Sequence, residues 1–403
     1  MKRFAFVLVL VLAISTATAK AELKMMGSNF DVTFYGYIKA EMAYHSARGF
    51  GDNWLVFAYP DMEPYKSQNT LTFTARQTRF GFNISAPGPS EDSKVLGNLE
   101  FDFYGSGWTE NKPALMMRRA TITLKYPKWS ILVGNEWMLM SPLYPHVSNY
   151  PAGAGIGNLG YRMPQFRFTF GDQFRVAVSA GEKIEGDLTT SDFDAGDNSA
   201  TPDFQAQIGY WGKNGLILVF SGHYGEEKYD EGPDSAGSYH DVTFESWSVN
   251  FSMNVPITKK FGIGGEFFHG VNLDAWYTGS IFGQGVGKTA SGRRVPVHDT
   301  GGWGEFWVKP IDKLTAYIGY GVDDPLDREL KGGPWPKLPS SLLPVDGGFT
   351  RNQMYYTHIL YNITKAFVVS LEVMRVDTEY KNDGIPGNDG QVYRTDLAFW
   401  FFF

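Results

Sequence analysis

Along most of the chain, apolar and polar residues alternate with period two in segments bounded by Gly, Pro, Asn and Asp. Period two is the spacing of a β-strand with two unlike faces. The segments are Val32–Tyr44, Thr70–Ala86, Lys94–Tyr104, Ala114–Tyr126, Trp129–Trp137 and Arg162–Phe170 in the first part of the chain. Gln173–Glu182, Asp203–Gly212, Gly215–Tyr224, Val242–Val255 and Phe261–Trp276 continue the rhythm. Val297–Lys309, Lys313–Val322, Asn352–Ile363, Ala366–Tyr380 and Gln391–Phe403 complete it. Connections between them alternate long and short. Ser46–Asn69 and Met138–Tyr161 are long, whereas Pro127-Lys128, Gly171-Asp172 and Lys213-Asn214 are tight. About sixteen strands, an even number, with loops on one rim and turns on the other predict an all-β, transmembrane antiparallel β-barrel. A soluble sandwich has no reason to alternate its connection lengths.

Facing follows from the same alternation. Phe80, Phe82 and Ile84 point outward, which turns Gln77, Arg79 and Asn83 inward. Leu99 and Phe101 are outside, leaving Glu100 and Asp102 inside; Ala120, Ile122 and Leu124 are outside, leaving Arg119, Thr121, Thr123 and Lys125 inside. Phe166, Phe168 and Phe170 leave Gln165, Arg167 and Thr169 inside, and Arg175, Glu266, Glu305 and Glu372 fall inward by the same test. The expected interior is therefore polar, and sixteen strands make a barrel wide enough for water. Arg79, Arg119 and Arg167 sit near the middle of strands running the same way, with Lys39 beside them on the first. A guanidinium is always charged and grips carboxylate or phosphate in a fork, so such a wall attracts organic anions. The bland alternative is that Glu41, Glu100 and Asp102 pair with these cations and cancel the field.

Met138–Tyr161 (MLMSPLYPHVSNYPAGAGIGNLGY) is the third long connection and holds no acidic residue. A surface loop is ordinarily more polar. Its apolar side chains predict a loop folded against the inner wall, with Pro142, Tyr144, His146 and Tyr150 at a constriction. Gln391–Phe403 reads as the strand that pairs with Val32–Tyr44 to close the barrel, with Phe399, Phe401 and Phe403 on its outer face. Trp400 and Phe402 point inward, where residues from Leu23–Phe30 are expected to meet them.

Composition narrows the class. Mean hydropathy is −0.24, and no stretch after Ile14 is long and apolar enough for a membrane-spanning helix. The formal charge of −7 argues against a nucleic-acid partner. Without cysteine there is no disulfide, thiolate metal site or covalent haem motif, and no cofactor is implied. The first 21 residues read as an export signal: Lys2 and Arg3, an apolar Phe4–Ile14, then Ala17-Thr-Ala19 and Ala19-Lys-Ala21 as cleavage candidates. An uncleaved anchor is the competing reading. Residues 22–31 form a periplasmic lead-in and 32–403 the barrel, in the outer membrane of a bacterial cell. Two acid-rich stretches, Glu182–Asp203 and Glu226–Asp241, read as loops. Asp192-Phe-Asp194-Ala-Gly196-Asp197 within the first is only loosely like a calcium loop, lacking the downstream Glu, so no metal site is assigned.

No G-x-S-x-G, H-E-x-x-H or phosphate loop occurs, and the seven histidines are scattered, which argues against an enzyme. An outer-membrane hydrolase and a barrel sheathing an electron-transfer or secretion partner are the alternatives. Three stretches carry a resemblance: Met117-Arg-Arg-Ala-Thr-Ile122, Leu132-Val-Gly-Asn-Glu-Trp137 and Tyr161-Arg-Met-Pro-Gln-Phe-Arg167. With the folded-in loop after the fifth strand, they resemble Gram-negative trimeric porins, the DcaP-type porins in particular. The resemblance implies a homotrimer that passes small hydrophilic, negatively charged solutes such as carboxylates. It also implies outer-membrane lipid and lipopolysaccharide as surroundings. The aromatic end of Gln391–Phe403 resembles the signal read by barrel-assembly machinery. The segment before Val32 leaves no room for the N-terminal helix some DcaP-type members carry.

Overall fold

A computed structural model describes residues 29–51, 53–105, 112–182, 199–233, 237–273, 286–288, 294–330, 349–380 and 389–403. The export-signal reading and the calcium-like stretch lie outside these residues. The strands in chain order are β1 (Asp31–His45), β2 (Thr70–Thr74), β3 (Arg79–Pro87), β4 (Lys94–Asp102), β5 (Met116–Lys125) and β6 (Trp129–Trp137). Next come β7 (Arg162–Gly171), β8 (Phe174–Gly181), β9 (Asp203–Trp211), β10 (Ile217–Pro233), β11 (Tyr239–Pro256) and β12 (Phe261–Val271). The last are β13 (Val286–Lys288), β14 (Arg294–Pro296), β15 (His298–Ile311), β16 (Leu314–Pro325), β17 (Phe349–Asn362), β18 (Phe367–Tyr380) and β19 (Gly390–Phe402).

Seventeen of these form one antiparallel sheet that closes on itself. β2 and β3 are halves of a single stave: β1 pairs β3 through Asp31–Tyr37 and β2 through Glu41–His45. Sixteen staves therefore make the barrel, while β13 and β14 form a separate two-stranded hairpin in the connection after β12. The seam is β1 with β19, in register from Tyr37↔Phe402 to His45↔Arg394. Gly36 and Phe403 exchange two backbone hydrogen bonds of 3.1 Å there. Closure leaves no unpaired edge, the condition a sheet must meet inside a bilayer.

The outer face carries an apolar belt. Ile122, Phe166, Phe168, Phe170, Phe220, Phe306, Ile318 and Phe401 are all exposed. In water each such side chain would forgo roughly 1.5–3 kcal/mol of burial; in hydrocarbon the belt is the favourable surface. Tight turns need backbones that a side chain forbids. At the β7–β8 turn Gly171 has φ of 96°, and a Cβ there would collide with the carbonyl oxygen of Phe174.

Three expectations are corrected. Thr70–Ala86 is not one strand, because residues 75–78 leave the ladder, with a turn from the Thr78 N–H to the Ala75 carbonyl. Much of Glu226–Asp241 is strand, an extension of the β10–β11 hairpin in which Lys228 and Asp241 pair at 2.5 Å. Opposite charge placed cross-strand lets an acid-rich segment stay in a ladder. β5 is bulged: Glu100 faces Arg119, but Phe101 faces Met117.

Candidate functional site

The interior is divided between two loops and a wall. Residues 138–161, the third loop, leave the end of β6, cross the lumen and return to β7. Between its ends the loop is fixed mainly through backbone groups. The Leu139 N–H donates to Gln205 Oε1 (2.7 Å) on β9, and the Ser221 hydroxyl on β10 donates to the Met140 carbonyl (2.6 Å). Ser141 Oγ donates to Glu266 (2.8 Å) on β12 and the His146 N–H donates to Glu305 (3.0 Å) on β15. At the apex the Ser148 and Asn149 N–H groups both donate to Glu372 on β18, and the Ser148 hydroxyl donates to Asp396 (2.8 Å) on β19. Gly157 lies so close to β15 and β16 that a Cβ would strike the carbonyl oxygens of Gly302 and Val322. Its φ of 96° is likewise one that glycine adopts freely.

The first loop, residues 46–69, folds in as well. Leu55 and Asn149 exchange two hydrogen bonds of 2.9 and 2.7 Å, stitching this loop to the third. Leu55, Val56, Phe57 and Ala58 are buried. That inward course was not expected, although the apolar run Trp54-Leu-Val-Phe-Ala-Tyr59 carried the same signal as the third loop.

The wall facing these loops runs from β3 to β8. The bulge in β5 turns Arg118 and Arg119 to the same side. Arg118 is buried and grips Glu100 (3.1 Å) and Asp102 (2.5 Å) on β4. Arg119 pairs with Glu136 (2.5 Å) on β6 yet keeps its side chain 29% exposed, and Arg79, 3.8 Å from Glu100, keeps 22%. Arg167 donates to Gln165 Oε1 and to the carbonyl of Trp137. Strict alternation sends Arg118 outward, so sequence reasoning missed it, and only the bulge reveals it.

The other expected residues separate. Lys39 is fully buried beneath the loop apex, bonded to Glu41, Gln77 and the Ser148 carbonyl (2.8 Å), rather than standing on the open wall. The reason is position: β1 adjoins β19, under the apex. Glu305 faces inward but is capped by the His146 ring (2.6 Å) and the Tyr356 hydroxyl (2.7 Å). Arg175 lies at the turn end, donating to the Asp172 carbonyl and stacked on Trp211, away from the crossing loop. On the loop, Tyr144 is exposed, Pro142 is half-buried, and the His146 side chain is 51% exposed. Tyr150 stacks flat on Tyr104 at 4.0 Å, and burial pushes its phenol up to about 12. Phe399 and Phe401 face outward, Phe403 stacks on Phe34 at 5.1 Å, and the inward Trp400 and Phe402 pack on Tyr37. Contacts to Leu23–Ser28 lie outside the described residues. Among the described residues no three His, Asp or Glu side chains are placed to hold a metal ion.

A closed sixteen-stave barrel with an apolar belt and a loop crossing its lumen is the fold of the outer-membrane porins. Of solved structures it is similar to the outer-membrane channel DcaP of Acinetobacter baumannii, with a TM-score of 0.70 at 19% identity, over 94% of this chain and 99% of that one. An anion-selective porin from Comamonas acidovorans is similar with a TM-score of 0.60 at 10% identity, over 93% of this chain and 100% of that one. OmpF of Salmonella typhi, in complex with daunomycin, gives 0.56 at 11% identity, over 93% and 98%. No protein-family model matches the chain, and no curated protein matches it.

Proposed function

We propose that the chain is an outer-membrane porin, a water-filled channel for passive diffusion of small hydrophilic solutes, with a preference for anions such as small carboxylates. One observation carries the reading. The acids of the far wall, Glu266, Glu305, Glu372 and Asp396, serve as acceptors for the third loop, while Arg79 and Arg119 on the near wall keep 22% and 29% of their side chains exposed. A carboxylate already accepting hydrogen bonds in a dry contact contributes little to the field in the passage, whereas a hydrated guanidinium meets the solute directly. No covalent step is involved. A barrel wrapped round a partner chain fits poorly, since the chain's own loops occupy the lumen.

Partners follow from the same reading: outer-membrane lipid and lipopolysaccharide around the belt, and two further copies of the chain in a homotrimer. One of the similar solved structures, OmpT of Vibrio cholerae, is described in a trimer form. Single-channel recording of the purified protein in planar bilayers under a KCl gradient tests the proposal. Discrete conductance steps with a reversal potential on the anion side are expected. Absence of steps overturns the channel, and a reversal potential on the cation side overturns the anion preference.

A further inference from the structure

The mid-lumen arginines have a counterpart near the short-turn rim. Lys94, the first residue of β4, and Lys125, the last of β5, are directly opposite each other in the ladder. Both point inward. Lys125 shares a face with the buried Thr121, and Lys94 with the buried Asn98 and Glu100. Like charges placed directly opposite on a sheet destabilise it, so ordinary strand chemistry gives no reason for this pair. Neither lysine has an ion-pair or hydrogen-bond partner among the described residues. The nearest acids in sequence are Glu91, which is exposed in the β3–β4 turn, and Asp92, which accepts the Ser90 hydroxyl at 2.6 Å.

The register extends the pair into a row. Lys125 faces Ser130 on β6, and Ser130 faces Thr169 on β7, so the inward positions read Lys94, Lys125, Ser130, Thr169 without a carboxylate. One inward step towards the middle of the same wall lies Arg167, opposite Leu132. Two ammonium groups and two hydroxyls, all able to donate, make an acceptor-seeking surface suited to the oxygens of phosphate or carboxylate.

We infer that this row is a second anion site, at the short-turn mouth of the lumen. It binds small oxyanions between Lys94 and Lys125, about six strand residues or ~20 Å from Arg119 along β5. That spacing exceeds the ~8 Å screening length of physiological salt, so an anion held here is screened from Arg119. A solute leaving the arginine wall is received by the lysine pair before it reaches bulk water. The inference rests on the channel reading above.

Inorganic phosphate is the probe. Bilayer recordings in KCl compare the unaltered protein, Lys94→Gln with Lys125→Gln, and Lys94→Arg with Lys125→Arg, with phosphate added on the short-turn side. In the unaltered protein phosphate reduces the chloride current in a saturable way. The glutamine pair raises the half-blocking concentration about tenfold or more, the effect of losing charged hydrogen-bond donors, and the arginine pair restores it. Equal block in the glutamine pair, or an open unaltered channel that phosphate does not block, overturns the inference. An unaltered protein that conducts nothing overturns the channel reading instead. Should the double variant fail to fold, Lys94→Gln and Lys125→Gln are read singly by the same criterion.

Discussion

The two sides of the lumen use the same chemistry for opposite ends. On the side from β9 round to β1, four inward carboxylates, Glu266, Glu305, Glu372 and Asp396, are buried and bonded to the third loop, as Glu372 is to the N–H groups of Ser148 and Asn149. On the side from β3 to β8, carboxylates are bonded to guanidiniums, as Glu136 is to Arg119; Arg118 is buried, while Arg119 and Arg79 keep part of their side chains exposed. An acid on the first side fixes a loop; an acid on the second orients a cation. The lesson is that counting lumen charges does not give the field. What matters is which charges are already engaged in dry contacts and which face water.

The comparison breaks most severely at Arg118. Arg118→Leu removes the buried partner of both Glu100 and Asp102, leaving Asp102 uncompensated and Glu100 with only Arg79, 3.8 Å away. A loss of about 3–5 kcal/mol of stability is expected, seen as loss of the heat-resistant folded band on a gel. A fully folded variant would mean that the pair is not buried as described.

Next in size is the latch at the loop apex. Glu372→Leu deprives two N–H groups of their acceptor, and each buried unsatisfied group costs about 1–3 kcal/mol. The barrel should persist while the loop loosens, giving larger and noisier single-channel currents. Unchanged currents would show that the remaining anchors suffice.

Arg119→Gln should leave the fold intact and act on selectivity. In a hydrated lumen one charge is worth about 1 kcal/mol to a nearby anion, roughly fivefold in the anion-to-cation permeability ratio. The reversal potential under a salt gradient reads this, and an unmoved value removes Arg119 from the filter. Arg175→Ala closes the series. Exposed at the turn end, it should change stability by less than about 0.5 kcal/mol and leave the reversal potential in place.

The staves were legible because alternation is a direct imprint of a two-faced sheet, and the third loop was legible because apolar residues in a connection must cover something. The partners of inward side chains were not legible. Lys39 and Arg79 share the same alternation, yet one is sealed under the loop apex and the other faces water. That distinction depends on how a distant segment crosses the lumen, which period two does not encode. Arg118 was hidden for a local reason, since one extra residue at the bulge reverses the parity of everything before it. The first loop was legible in principle, through Trp54–Tyr59, and its burial obeys the rule that exposed the third.

The manner in which the third loop is held has a consequence for variation. Its anchors are largely main-chain N–H groups meeting wall side chains, the Gln205 amide at Leu139 and acids at His146, Ser148 and Asn149. A contact made by the main chain survives replacement of the side chain that hangs from it. Tyr144, exposed on this loop and absent from those anchors, can therefore change identity while the crossing keeps its course. The loop is built as an interchangeable insert on a fixed mount, whose exposed side chains can vary without any redesign of the barrel.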